Sequence, residues 1–142
     1  MRASLLALLL LAACTTAAPE QPANPTEPPS AGAVHLSGTK WRRVDDMDAN
    51  PHGATIDFEG DRASGYTGCN RWFASVTQNG EELRFGAIGT TRMMCDGAGV
   101  QMATERNFLA ALEATRYGHY DQDALVLLDE NQQVIARFDS EL

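Results

Sequence analysis

An antiparallel, barrel-like β fold with one helix is predicted by three features of this 142-residue chain. Short runs with alternating polarity recur at even spacing between about residues 41 and 138, separated by turn-forming residues. One of those turns is an Asn-Gly pair, Asn79-Gly80, set between two strand-like runs. The series is interrupted once, at 98–115, by a segment whose apolar residues recur at helical spacing. About eight short strands of this kind suit a barrel of the lipocalin or streptavidin type. The helix would cover a sheet face or plug one end. A two-layer α+β sheet is the alternative arrangement of the same elements.

The elements follow in order. Residues 41–44 read as the first strand. In 54–58, Ile56 and Phe58 alternate with polar neighbours and are expected to point inward. Glu59, Gly60, Asp61 and Arg62 turn the chain, and 63–67 return. Residues 72–77 alternate again, Asn79-Gly80 reads as a type I′ turn, and 82–85 leave it. Within 98–115, Met102, Phe108, Leu109 and Leu112 form one apolar stripe, with Glu105 at the same spacing. Asp96 is placed to cap the helix start and Gly118 to end the run. Strands at 117–120 and 125–128 flank the turn Asp121-Gln122-Asp123, and 134–138 closes the series after a polar turn at 129–132. Trp41, Phe58, Trp72, Phe73, Phe85 and Phe138 supply enough bulk to fill a small barrel.

Ahead of this domain the chain reads as a targeting segment. Arg2, an apolar run at 5–11 and then Ala12-Ala13-Cys14 make a lipoprotein signal peptide. Residues 1–13 are expected to be removed and Cys14 to carry the lipid. An ordinary signal peptide cut near Cys14 would leave a soluble periplasmic protein instead. The apolar run is far shorter than the roughly 20 residues of a membrane span. Five of the six prolines fall between positions 19 and 29, so 14–35 reads as a tether. In polyproline II form it would extend by roughly 3 Å per residue. The folded domain is then 36–142. Thr15, rather than aspartate, follows Cys14. By resemblance to other lipoproteins this favours the outer membrane, facing the periplasm.

Charge and cysteines narrow the function. The formal net charge of −8 becomes −9 when Arg2 leaves with the signal peptide. That argues against nucleic acid as a partner and against broad docking on anionic lipid. With Cys14 lipidated, Cys69 and Cys95 remain, an even number in an oxidising compartment. A disulfide between them is expected; two free buried thiols are the alternative, and a metal pair lacks flanking ligands. His35, His52 and His119 are widely separated and read as surface or turn residues, so a Cys69–His119 nucleophile pair is disfavoured. Asp46-x-Asp48-x-Asn50, with Asp57 at the twelfth position, imitates a calcium loop. Pro51 stands where that loop needs glycine, so it reads as a solvated acidic turn and no metal or cofactor is expected.

Four motifs stand out from ordinary strand text: Gly38-Thr39-Lys40-Trp41, Gly65-Tyr66-Thr67-Gly68-Cys69-Asn70, Thr91-Arg92-Met93-Met94-Cys95 and Glu105-Arg106-Asn107-Phe108-Leu109. In this order they resemble the META domain (HslJ-like) family over about residues 36–139. The chain departs from that pattern where Met94 and Asp96 stand in place of the family's frequent alanine and proline. The resemblance implies a lipocalin- or streptavidin-type barrel with one helix, placed in the periplasm or on a bacterial membrane. It implies a link to heat stress and to resistance against some antibiotics, with no enzymatic activity established.

The same residues have a direct physical reading. Gly65 and Gly68 suit a corner where a side chain would clash, and Asn70 can satisfy a turned backbone. A Cys69–Cys95 bridge would tie that corner to the segment entering the helix. The cluster reads either as a folding nucleus without a ligand or as a binding rim made by Asn70, Arg71 and Arg92. Together these features describe a lipid-anchored, non-enzymatic envelope protein with a stress-response or envelope-interaction role and an unidentified envelope protein as partner. A barrel carrying a small apolar ligand in its interior is the alternative.

Overall fold

The computed structural model describes residues 35–46, 53–95 and 98–141. The expected signal peptide (1–13), Cys14 and most of the expected tether (14–35) lie outside the described residues, as do Asp48, Asn50, His52 and the proposed cap Asp96. The strands are β1 (Lys40–Arg43), β2 (Thr55–Glu59), β3 (Arg62–Tyr66), β4 (Arg71–Asn79), β5 (Glu82–Phe85), β6 (Gly89–Thr90), β7 (Tyr117–Asp121), β8 (Ala124–Leu128) and β9 (Val134–Ser140). The helix α1 (Ala98–Ala114) lies between β6 and β7.

Neighbouring strands run in the order β3-β2-β1-β9-β8-β7-β5-β4, and β4 pairs back onto β3. Eight strands therefore close into an antiparallel ring rather than the two-layer alternative, and β6 is left with a single neighbour, β4. The short β6 was not expected from sequence. It pairs with β4 at Trp72 and Phe73, beyond the β4–β5 pairing that ends at Val76, and Gly86 N–H donates to Ser75 O between them at 2.8 Å. β5 and β6 are thus one strand broken in the middle.

Closure is thinnest between β5 and β7. Glu82 opposite Tyr117 is the single register pair there, supported by Leu83 N–H to Arg116 O and Gly118 N–H to Glu81 O, each 2.9 Å. Beside this narrow seam α1 packs against β5.

The interior is filled by side chains. Trp72, Phe58, Phe108, Phe138, Ile56, Leu83, Leu112, Leu125 and Leu127 are all at most 1% exposed. β4 and β9 stand four places apart in either direction around the eight-membered ring, so they are opposite walls. The Phe108 ring lies 5.5 Å from that of Trp72 on β4 and 6.3 Å from that of Phe138 on β9, both edge-on. The helix therefore plugs the barrel, with Phe108 bridging its two walls. Both buried indoles are satisfied: Trp72 Nε1–H donates to Thr55 O at 3.0 Å and Trp41 Nε1–H to Thr39 Oγ1 at 2.6 Å. The Gly-Thr-x-Trp motif is explained by the second contact.

Several expectations need correction. Phe73 is 56% exposed, because alternation along β4 turns Trp72 and Ala74 inward and Phe73 out over Gly89. Met102 is 50% exposed; Phe108 and Leu112 of the expected stripe do face in, Leu109 packs against the core, and Thr104 and Ala111 complete the inward face. Gly118 does not end the helix. It lies buried in β7 opposite Leu127, where an added Cβ would stand 2.9 Å from Leu83. The helix end is satisfied by Thr115, whose hydroxyl donates to Ala111 O, and by Arg116, whose guanidinium donates to Glu113 O, each at 2.8 Å. At the β4–β5 hairpin Asn79 pairs with Glu82, so Gly80 and Glu81 form the loop. Positive φ falls on Gly80 (61°) but not on Glu81, whereas a type I′ turn needs it at both central residues.

The ring has two distinct ends. At one, the chain enters: Ser37 Oγ accepts from Gly60 N–H at 3.0 Å, and the Tyr120 hydroxyl donates to His35 O at 3.1 Å. Trp41 and Tyr120 rings meet here at 5.6 Å, and burial pushes the Tyr120 phenol pKa up. At the other end, where β3 ends and β4 begins, lies the corner that carries the Gly-Cys-Asn motif.

Candidate functional site

The corner from Thr67 to Asn70 joins β3 to β4. Two glycines make it possible. An added Cβ at Gly65 would stand 2.1 Å from Thr55 O, the atom that accepts from Trp72. Gly68 adopts φ of 102°, which side chains disfavour. The Thr67 hydroxyl accepts from the N–H groups of Cys69 (3.2 Å) and Asn70 (2.8 Å), and Thr67 N–H donates to Asn70 O at 2.8 Å. Its proton goes to Glu105 Oε2 at 2.5 Å.

Asn70 is the hub. Its Oδ1 accepts from Met93 N–H at 2.6 Å and from the Thr91 hydroxyl at 3.0 Å. Its Nδ2 donates to Glu105 Oε2 at 2.9 Å and lies 3.4 Å from Cys69 Sγ. The amide thereby uses its full hydrogen-bonding capacity. One side chain connects the corner, the segment after β6 and the helix. Thr91 extends the connection by accepting from Arg71 N–H at 3.1 Å. The disulfide Cys69–Cys95, with Cα atoms 5.8 Å apart, adds a covalent tie between the same segments. It leaves Cys69 without a thiol.

Asn70 is 4% exposed and Thr67 is fully buried, so neither presents a rim to solvent. Arg71 and Arg92 are exposed and make no ion pair among the described residues. Of the three proposed rim residues, the structure puts two at the surface and one in the framework beneath. Glu105, Thr67 and Thr91 stand in the motifs that the sequence shows but are not among its rim candidates. Glu105 carried a usable signal: an acid three residues from both Met102 and Phe108, where a helix buried on that face would be apolar.

A cleft of about 200 Å³ borders Phe73, with Asp57, Glu59, Arg62 and Ser64 around it. One of about 480 Å³ is bordered by Asp121, Asp123, Arg137 and Asp139 at the chain-entry end, beside another of about 250 Å³ floored by Trp41 and Tyr120. Neither includes Asn70, Arg71 or Arg92. Among the described residues no group of three or more His, Cys, Asp or Glu side chains could hold a metal ion. No described helix is long and apolar enough to cross a membrane.

A family model of the META domain matches residues 33–141. The chain belongs to the META domain family. The match spans all four motifs, the corner and the helix. This META domain is similar in fold to a protein from Burkholderia xenovorans solved by NMR, at 23% identity and a TM-score of 0.57. That alignment covers 87% of this chain and 98% of the other. It is also similar to the crystal structure of a DUF4847 family protein from Bacteroides vulgatus, at 14% identity and a TM-score of 0.55, covering 73% of this chain and 93% of that one. No curated protein matches the chain.

In this META domain the corner makes a stability prediction. Asn70→Ala should cost about 2–4 kcal/mol, because Met93 N–H and the Glu105 carboxylate lose a buried partner together. Urea unfolding should show it as a lower midpoint with an unchanged slope. An unchanged midpoint would mean that the hub carries no stability.

Proposed function

We propose that this META domain is a lipid-anchored, non-enzymatic protein of the bacterial envelope that works through the outer surface of its barrel, in a stress-response or envelope-interaction role. The observation that carries this reading is the filled interior. Phe108 occupies the middle of the ring between Trp72 and Phe138, where a ligand carrier of this architecture would keep its cavity. The basic start, short apolar run and Leu-Ala-Ala-Cys sequence support anchoring at Cys14, and the proline-rich segment supports a stand-off from the membrane. An oxidised Cys69 supports a structural rather than nucleophilic use of that cysteine.

Growth of cells with labelled palmitate tests the anchor. The intact chain should take up label and fractionate with the outer membrane, and Cys14→Ser should abolish both. Label retained in Cys14→Ser would refute lipidation at that residue. Organic extraction of the purified native protein tests the filled barrel. No small apolar molecule should be recovered near one per chain, and recovery of one would favour the ligand-carrier alternative.

A further inference from the structure

We propose that the face made by Tyr66, Arg71, Phe73, Arg92, Met93 and Met94 docks an extended acidic segment of a partner protein, one whose carboxylates alternate with aromatic or aliphatic side chains. This rests on the interaction reading above and names the surface and the chemistry of its partner.

The face is contiguous. Tyr66 lies directly opposite Arg71 on β3 and β4, and Phe73 is two residues further along the same outward row, opposite Ser64. The segment with Arg92, Met93 and Met94 is held beside that row. Thr91 N–H donates to Arg71 O at 3.0 Å, Met93 N–H is bound by Asn70, and Cys95 is bridged to Cys69.

Its composition is not what folding alone requires. Phe73 is 56% exposed, Met93 64% and Met94 100%, on a segment fastened at both sides of the methionines. Apolar side chains held out on a pinned loop pay little ordering entropy when they are covered. Methionine adapts to irregular apolar partners, and aromatic and arginine side chains anchor interfaces.

Charge selects the occupant. Arg71 and Arg92 make no ion pair among the described residues of a chain whose formal charge is −8, while the acids beside Phe73 have cations at hand: Asp57 pairs with Lys40, and Glu59 shares a cleft with Arg62. A second copy brings the same excess of negative charge. Two arginines attract an anionic lipid surface only weakly, against repulsion from the rest of the chain. A short acidic segment supplies carboxylates locally and apolar side chains between them. The face also lies at the end of the barrel opposite the chain entry at His35 and Ser37, so it points away from an anchor attached through the tether.

The test uses the lipidated full chain in detergent and fluorescence anisotropy with two labelled octapeptides, alternating Glu-Phe and alternating Lys-Phe. The Glu-Phe peptide should bind, with affinity that falls as salt is raised, and the Lys-Phe peptide should bind about tenfold more weakly. The double variant Arg71→Glu/Arg92→Glu should lose about tenfold in affinity, and Phe73→Ser/Met94→Ser a similar factor. Arg137→Gln, on the opposite wall, should leave the affinity within about twofold. Near-ultraviolet circular dichroism and intact mass confirm that each variant is folded and bridged.

The proposal is overturned if the Glu-Phe peptide does not bind, or if the arginine double variant binds it within about twofold of the parent. It is also overturned if phosphatidylglycerol mixed into the detergent micelles, or a synthetic peptide of residues 15–34, displaces the Glu-Phe peptide as well as unlabelled Glu-Phe does. Those outcomes would assign the face to lipid or to the chain's own tether. Palmitate uptake reads the anchor independently, so failure here is distinguishable from failure of the wider reading.

Discussion

Replacing Cys69 and Cys95 together by serine should lower stability by about 3–4 kcal/mol, the entropy of opening a loop of this length in the unfolded chain. The bridge spans a sequence separation of 26 residues. For a domain of about 100 residues this corresponds to a fall in Tm on the order of 15 °C or more. Scanning calorimetry on the oxidised and serine forms would measure it. A shift of only one or two degrees would mean that the corner is held by its hydrogen bonds alone. The loss should be uneven across the molecule. Hydrogen exchange should quicken first in the segment after β6 and the first turns of α1, which the bridge ties to the corner, while the β7–β8–β9 wall stays protected. Asn70 and Glu105 would still bind one another in the serine form, so the barrel should survive with a looser plug.

Phe108→Ala should be comparably damaging, at about 3–5 kcal/mol. The ring is fully buried, and it touches Trp72 and Phe138 on opposite walls. Its removal leaves a void that neither wall can fill without moving, and the helix then holds to the core through Leu109, Ala111 and Leu112. Phe108→Leu keeps most of the volume and should cost less than half as much. Urea midpoints of the two variants give the comparison. If Phe108→Ala costs under about 1 kcal/mol, the ring is not a plug and the lumen is open.

How much of this was legible in the sequence follows from the range of the forces involved. Ile56 and Phe58 announce an inward face because alternation is local to one strand. Every strand long enough to alternate was found within one or two residues of its ends. The two-residue β6 has no period to read. Phe73 was counted as core for its bulk although Trp72 beside it had already taken the inward side. The helix and most of its buried face are legible, since Phe108 and Leu112 face in and Leu109 packs against the core; Thr104 takes the inward place expected of Met102, because the first turns of α1 meet a polar corner. Gly118 reads as a helix stop because glycine commonly serves as one, yet its position is set by Leu83 across the seam and by Leu127 opposite it on β8. The corner was visible as a run of unusual letters, and Gly65 and Gly68 read as conformational demands. What could not be read was that Asn70 reaches 35 residues along the chain to Glu105, a contact that exists once the ring has closed.

The account depends on a barrel filled from within by its own helix, which leaves the outer surface for recognition. Nuclear Overhauser contacts of the Phe108 ring in the oxidised full-length protein test this most directly. Cross-peaks from Phe108 to both the Trp72 indole and the Phe138 ring are the expected result. A Phe108 ring with contacts to one wall alone, or to neither, would contradict it.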